Sequence, residues 1–321
     1  MIEWEGYEDP RTGIPFFSLY GEHREPKPEW LNGLDVLLID LPDIGSRYYT
    51  FIWTMALCMK ACEAIGLPVM VLDRPNPIDG IHAEGTIGKP EFASFVGLYP
   101  LPMRHGMTLG EIARYLRNHF FPDIHLDIKR VVNWSREQVF EQTGLIWAMP
   151  SPNMPTPATA LVYPGACLLE GTNLSEGRGT TRPFEIVGAP FLDGWKLADA
   201  LSELNLKGVL FRPIIFQPTF QKHAGELCEG VQVHVTEAKT FRPVLTFLAI
   251  LQTAWKQSQG KMKWNDPPYE YEETLLPFDI LAGNSWLREA IETEKPISHL
   301  RDKMGSEYGS FELERICSLH Y

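Results

Sequence analysis

Two nearly continuous apolar runs, GLDVLLID at 33–40 and PVMVLD at 68–73, each end in an acid. Runs of this kind, without the alternation of a half-wetted strand, are the pattern of parallel strands buried on both faces. Between them the apolar positions recur at helical spacing from about Arg47 to Ile65, and Gly66 followed by Pro68 punctuates the end. These segments predict a β-α-β unit, right-handed by the general rule for such crossovers. TLGE at 108–111 matches a capping box, whose hydroxyl and carboxylate satisfy free helix-terminal amides, and introduces a helix to about residue 120. DIHLDIKRVV at 123–132 alternates apolar and polar residues, as a strand with one wet face does. From Trp147 to Pro190 the chain is dense in Pro, Gly, Thr and Asn and reads as a long functional loop. Beyond it the pattern predicts a helix at 193–204 capped by Asp193, strands near 208–216 and 230–236, and a helix from Pro243 to about residue 256. Further helices are expected near 285–294 and 310–318. The order gives an α/β domain over residues 1–160 and a smaller α+β domain over 161–321, with the site in the cleft between them.

A chain of 321 residues is long enough for two cores. Its 29 basic and 41 acidic residues give a net charge of −12, which disfavours a nucleic-acid partner. The most apolar stretch, FIWTMALCMKACEAIGLPVMVL, is interrupted by Lys60, Glu63 and a Gly-Leu-Pro turn, so no membrane span is expected. The acidic N-terminus, MIEWEGYEDPRTG, has no apolar core and does not read as a signal peptide. Five scattered cysteines, without a CxxC pair, read as reduced thiols. No GxGxxG follows a strand, and GxxxxGK[ST], GxSxG and HExxH are absent, which removes the usual support for nucleotide cofactors, serine hydrolysis and zinc chemistry. No cofactor and no metal are expected.

Four polar clusters remain. DLPDIGSRYYT carries Asp40 and Asp43 just past a strand end, where open α/β sheets place ligands. The pair could share the acid and base work of a glycosidase; equally, Asp43 could cap the helix while loop amides hold Asp40. LDRPNPIDG stiffens Asn76 between two prolines, as a ligand-facing amide or as ordinary turn chemistry. PMRHGMT places Arg104 and His105 before the capped helix, where an anion is favoured. EGTNLSEGRGTTRPFE supplies Asn173, Glu176, Arg178 and Thr180 among glycines that let backbone approach a ligand. The set suits a hydroxylated, charged small molecule, and sugars are the obvious class.

GLDVLLIDLPDIGSRYYTFIWTM, VLDRPNPIDG, FASFVGLYPLPMRHGMTLGE, PSPNMPTPATALVYPGACLLEGTNLSEGRGTTRPFEIVGAP and FDILAG, taken in order, resemble successive blocks of the NamZ family of exo-β-N-acetylmuramidases. The resemblance runs from about Asp9 to the C-terminus. It implies a Rossmann-like domain followed by an auxiliary domain, with the active site between them. It also implies an exo-acting glycosidase that releases terminal β-1,4-linked N-acetylmuramic acid from peptidoglycan fragments, a saccharide or muropeptide substrate, and an extracytoplasmic place of work. On this reading the catalytic candidates are Asp40, Asp43 and Glu176, with His105 as auxiliary donor. Arg47, Arg104 and Arg178 are the candidates for the lactyl carboxylate. Tyr48, Thr180, Asn76, Asn153 and Asn173 complete the substrate-binding set, the asparagines reading hydroxyls and the acetamido group.

Two departures stand out. Pro42 lies between the two acids where the family commonly has Gln. Family members also begin with a further strand-helix-strand portion bearing Glu-His-Gly, which the run Glu22-His23-Arg24 does not match, so the first domain is expected to be incomplete and to expose a sheet edge. The competing expectation is a non-catalytic muropeptide- or sugar-binding protein, or an inactive truncated homologue. Retention or inversion depends on the separation of two carboxyl groups.

Overall fold

The structure is a computed structural model and describes residues 5–321; the first four residues of the acidic N-terminal segment lie outside the described residues. A small hairpin of β1 (Tyr7–Glu8) and β2 (Pro15–Phe16) precedes α1 (Pro28–Leu31). Then follow β3 (Leu37–Ile39), α2 (Phe51–Ile65), β4 (Val69–Leu72), β5 (Glu84–Ile87), β6 (Pro102–Arg104), α3 (Leu109–His119) and β7 (Leu126–Lys129). The strands β3, β4 and β7 form a parallel sheet in that order, with Leu37 opposite Val69 and Val71 opposite Ile128.

The apolar residues explain the packing. Ile52, Trp53, Met55, Met59 and Cys62 of α2 are buried together with Val69 and Val71 of the sheet and Ile112 and Leu116 of α3. Helix α2 ends where Gly66 turns left-handed at φ +70° and its amide reaches back to the last turn; α3 starts in the expected capping box of Thr108 and Glu111. The outer edge of β3 is unpaired among the described residues, and Leu38 is 55% exposed. The expected double-sided burial of this run therefore fails on one side.

The second half comprises α4 (Pro157–Ala166), β8 (Ile186–Ala189), α5 (Gly194–Glu203), β9 (Val209–Phe216), β10 (Cys228–Val235), α6 (Pro243–Gln257), α7 (Pro277–Ala282), α8 (Trp286–Glu292) and α9 (Ile297–Ser318). An antiparallel sheet of order β8-β10-β9 packs against α4 and α5, and α6 packs on both of those helices. The expected loop over 147–190 is thus half ordered: Thr156 caps α4, Ala160 to Ala166 are buried, and burial of that apolar face overrides Pro164 within the helix. Helix α9 is longer than expected and does not stay with its own half. It crosses to α3 and β5, and Phe311 joins the core of the first half.

Arg47 ties the halves together from the inside. It is 1% exposed and donates to the carbonyls of Thr86 and Leu101 at 2.8 Å each and of Leu281 at 2.5 Å. Thr86 Oγ1 adds a bond to the Ala282 carbonyl at 2.5 Å. Replacing Phe311 with Ala is expected to cost about 3–5 kcal/mol, the usual range for emptying a buried aromatic site. Urea unfolding measures it, and hydrogen exchange should show α9 opening first; an unchanged midpoint would mean that α9 is not anchored through this ring.

Candidate active site

At the carboxyl end of β3 the chain turns at Gly45, where φ is +83° and a Cβ would approach Asn76 Oδ1 to 2.6 Å. The Gly45 amide donates to Asp43 Oδ2 at 2.8 Å, which aims the carboxyl inward. His105, fully buried, lies with Nε2 at 3.2 Å from the same oxygen, off the line of a hydrogen bond. The Met107 amide donates to His105 Nδ1 at 3.2 Å, so the neutral ring carries its proton on Nε2, facing Asp43. Asp43 Oδ1, Ser46 Oγ, Tyr49 Oη and His105 Nε2 are buried without a hydrogen-bond partner among the described residues. Most buried polar atoms are paired, and four unpaired ones from two facing loops mark a place built for a polar ligand.

The loops are held by carbonyl clamps. Arg136 donates to Gly106 O at 2.8 Å and Gly80 O at 2.5 Å and pairs with Glu111. Arg315 of α9 donates to Gly106 O at 3.0 Å, Gly80 O at 2.9 Å and Ile81 O at 3.0 Å. At the end of β4, Asp73 accepts from Thr108 Oγ1, the Gly110 amide and Tyr321 Oη. The tail therefore closes over the first turn of α3.

Several expected ligand residues are occupied elsewhere. Asp40 is exposed and pairs with Arg74 at 2.7 Å, apart from Asp43. Arg47 is spent on three carbonyls, and Tyr48 is buried with its ring 5.4 Å from that guanidinium. Arg104 donates to Ile78 O and pairs with Asp79 at 2.8 Å. Burial lowers the pKa of both arginines. Asn76 donates to Met107 O at 2.9 Å and accepts from the Ile78 amide, which locks the two loops together. Asn173 bridges to the backbone of Lys261 and Lys263, and Thr180 Oγ1 closes a local turn on Gly177 O. Asn153 stands half-buried in the Ser151–Met154 turn.

A second polar group gathers in the other half. Glu176 meets Lys222 at 2.9 Å and Arg178 Nε at 3.3 Å, so both its oxygens face cations. Arg178 Nη2 binds Glu170 at 2.8 Å, and Tyr269 donates to the other Glu170 oxygen at 2.7 Å. Burial opposes ionisation of Glu170, but Arg178, Tyr269 and Lys222 together outweigh it and hold the carboxyl below the usual range. Neighbouring Glu270 goes the other way: burial, reinforced by the Glu170 charge, raises its pKa, and its Oε2 is buried without a partner among the described residues. Its φ of +48° is uncommon for a residue other than glycine. Rings join the two groups, since Tyr49 packs edge-on against Tyr163 at 6.0 Å, Tyr163 against Phe184 at 4.8 Å, and Arg178 lies 5.0 Å over Phe184. Sequence reasoning missed Tyr49, Glu170, Glu270, Arg136 and Arg315. The one signal in the chain was Glu170, an acid closing the apolar run CLL.

Among the described residues no group of His, Cys, Asp and Glu is arranged to hold a metal ion, and no helix is long and apolar enough to cross a membrane.

The model described as exo-β-N-acetylmuramidase NamZ, N-terminal, matches residues 1–158, and its C-terminal counterpart matches residues 161–321. The chain belongs to the NamZ family. It is 46% identical over 295 residues to the peptidoglycan β-N-acetylmuramidase NamZ of Bacillus subtilis (strain 168), a match covering 92% of this chain and 69% of that protein. Two crystal structures of DUF1343 family proteins from Bacteroides fragilis have the same fold. One is 31% identical with a TM-score of 0.89 and covers 98% of this chain and 82% of its own; the other is 26% identical with a TM-score of 0.77, covering 98% and 81%. NamZ membership thus covers both halves, and the mixed α/β architecture with its parallel sheet is shared with solved relatives.

Asp79 gives a pH test of the loop beside Arg104. Burial raises its pKa, but His82 and Arg104 outweigh burial and leave it below the ordinary value. A carboxyl depressed in the folded state adds stability above its unfolded pKa of about 3.9, and that stability is lost as pH falls through the lower folded value. Asp79→Asn should therefore be less stable near neutrality and show a flatter loss of stability below about pH 4. Urea midpoints from pH 7 to pH 3 check it; parallel curves for parent and variant would remove Asp79 from the account.

Proposed function

We propose that this chain is an exo-acting glycosidase that removes terminal β-1,4-linked N-acetylmuramic acid from peptidoglycan fragments, working outside the cytoplasm, where that polymer lies. The observation that carries the reading is the 46% identity, over 92% of the chain, to a protein named for peptidoglycan β-N-acetylmuramidase activity. The site chemistry agrees with it. Glycoside hydrolysis uses one carboxyl group to protonate the leaving oxygen and another to attack carbon or activate water. Glu270, whose Oε2 is buried without a partner among the described residues and whose pKa is raised by burial and by the Glu170 charge, suits the proton donor. Asp43, with Oδ1 free and His105 Nε2 beside Oδ2, suits the second role. Of the three arginines considered for the lactyl carboxylate, Arg47 and Arg104 are 1% exposed and bound to protein groups. Arg178 has Nη2 and Nε taken by Glu170 and Glu176, which leaves Nη1 as its donor for that carboxylate.

An aryl N-acetyl-β-muramide that releases a chromophore tests the proposal. The parent should turn it over, and Asp43→Asn should lower kcat by about 10²–10⁴-fold, the range for a lost acid or base. A proton donor must be protonated, so parent kcat should fall as pH rises through the raised pKa of Glu270, and Glu270→Gln should lack that alkaline limb. A parent that binds the muramide without releasing aglycone would overturn the function; a limb surviving in Glu270→Gln would assign the donor elsewhere.

A further inference from the structure

Between α3, β7 and α9 a pocket of about 420 Å³ is lined by Arg114, Arg117 and Asn118 of α3, by β7 with Arg130 just beyond it, and by Cys317 of α9. Its size is within the range of small-molecule sites, about 300–1,000 Å³. Arg114 and Arg117 are three residues apart and share a helix face. None of the three arginines forms an ion pair with a carboxylate among the described residues, whereas Arg74, Arg104, Arg136, Arg178 and Arg288 all do. Arg114 makes only a 3.3 Å contact to the Leu319 carbonyl, and Arg117 turns to the neutral amide of Asn118. The one acid in the lining, Asp127, is neutralised by Lys129 at 2.7 Å. Three arginines thus line one pocket whose one acid is already paired, on a chain of net charge −12.

We propose that this pocket is an anion site, separate from the Asp43–His105 centre, that takes a phosphate monoester. Guanidinium forks match phosphate and carboxylate alike. A carboxylate offers two oxygens and one charge, which leaves a third fork unmet, whereas a phosphate monoester offers three acceptor oxygens and about −1.5 to −2 charge at pH 7. Strand β7 borders the pocket as an edge strand with β4 as its sole neighbour among the described residues, so outward backbone amides are available to the remainder of the ligand. The inference is independent of the glycosidase reading, since no lining residue belongs to that site.

Titration calorimetry of the full chain with phenyl phosphate, inorganic phosphate and acetate, at matched ionic strength, tests it. Phenyl phosphate should bind one to one, acetate at least tenfold more weakly, and the Arg117→Gln/Arg130→Gln double variant at least tenfold more weakly than the parent. Arg114→Lys keeps the charge but loses the fork and should also weaken binding, whereas Arg212→Gln, a surface control that contacts Gln232, should not. Muramide turnover in the double variant should match the parent, which also confirms that it is folded. Inorganic phosphate binding as tightly as the ester would restrict the site to the free ion. The absence of saturable binding by either phosphate, or equal binding by the double variant, would overturn the proposal.

Discussion

The carbonyl oxygens of Gly80 and Gly106 are the points on which the site loops turn. Neither belongs to a strand ladder, and a buried carbonyl must be paired or carry its full desolvation cost. Arg136 and Arg315 meet both. A guanidinium is suited to this because its five N–H donors lie fixed in one plane, so a single side chain gathers carbonyls from separate loops. Gly106 follows His105 directly, and its φ of +59° and the His82 carbonyl, 2.8 Å from where a Cβ would stand, leave no room for another residue. The histidine's position is therefore set by arginines whose donors go to backbone carbonyls and glutamates, one of them from a helix that begins almost two hundred residues later.

The same economy explains where the sequence was misread. Arg47 and Arg104 stand beside candidate carboxylates and look like ligand readers, because nothing local reveals that the donors of Arg47 will be met by carbonyls, one of them 234 residues away. Conversely, local chemistry was legible wherever a short-range bond sets the structure. The Thr108–Glu111 capping box and the Asp193 cap appear as expected. Helix α4 was not legible, since its Pro-rich and Thr-rich composition is outweighed by burial on almost every side. Glu270 could not be found at all from the chain, because its character comes from the Glu170 charge and from burial, neither of which leaves a motif.

Two polar groups face each other across aromatic rings and differ in how their hydrogen bonds are spent. In the Glu170–Glu176–Arg178–Lys222 group almost every oxygen has a cation or a hydroxyl, which gives a rigid ion-paired cluster. Around Asp43 and His105 several buried atoms are left unmet by protein. Rigid and unspent groups are complementary: the first suits fixed recognition of substrate charge, the second an atom whose bonding changes during reaction.

The crossing of α9 has a consequence for how the chain is made. Ring burial at Phe311, the Arg315 clamp and the Tyr321 bond to Asp73 all come from residues beyond 310, yet all complete the first domain. Domains generally fold in turn as they leave the ribosome, but here the first one lacks part of its core and the braces of its loops until residues beyond 310 have emerged. Its helices and parallel sheet must wait half-finished through the synthesis of the second domain, with the apolar face meant for α9 open to chaperones, and the site loops set only once α9 has emerged.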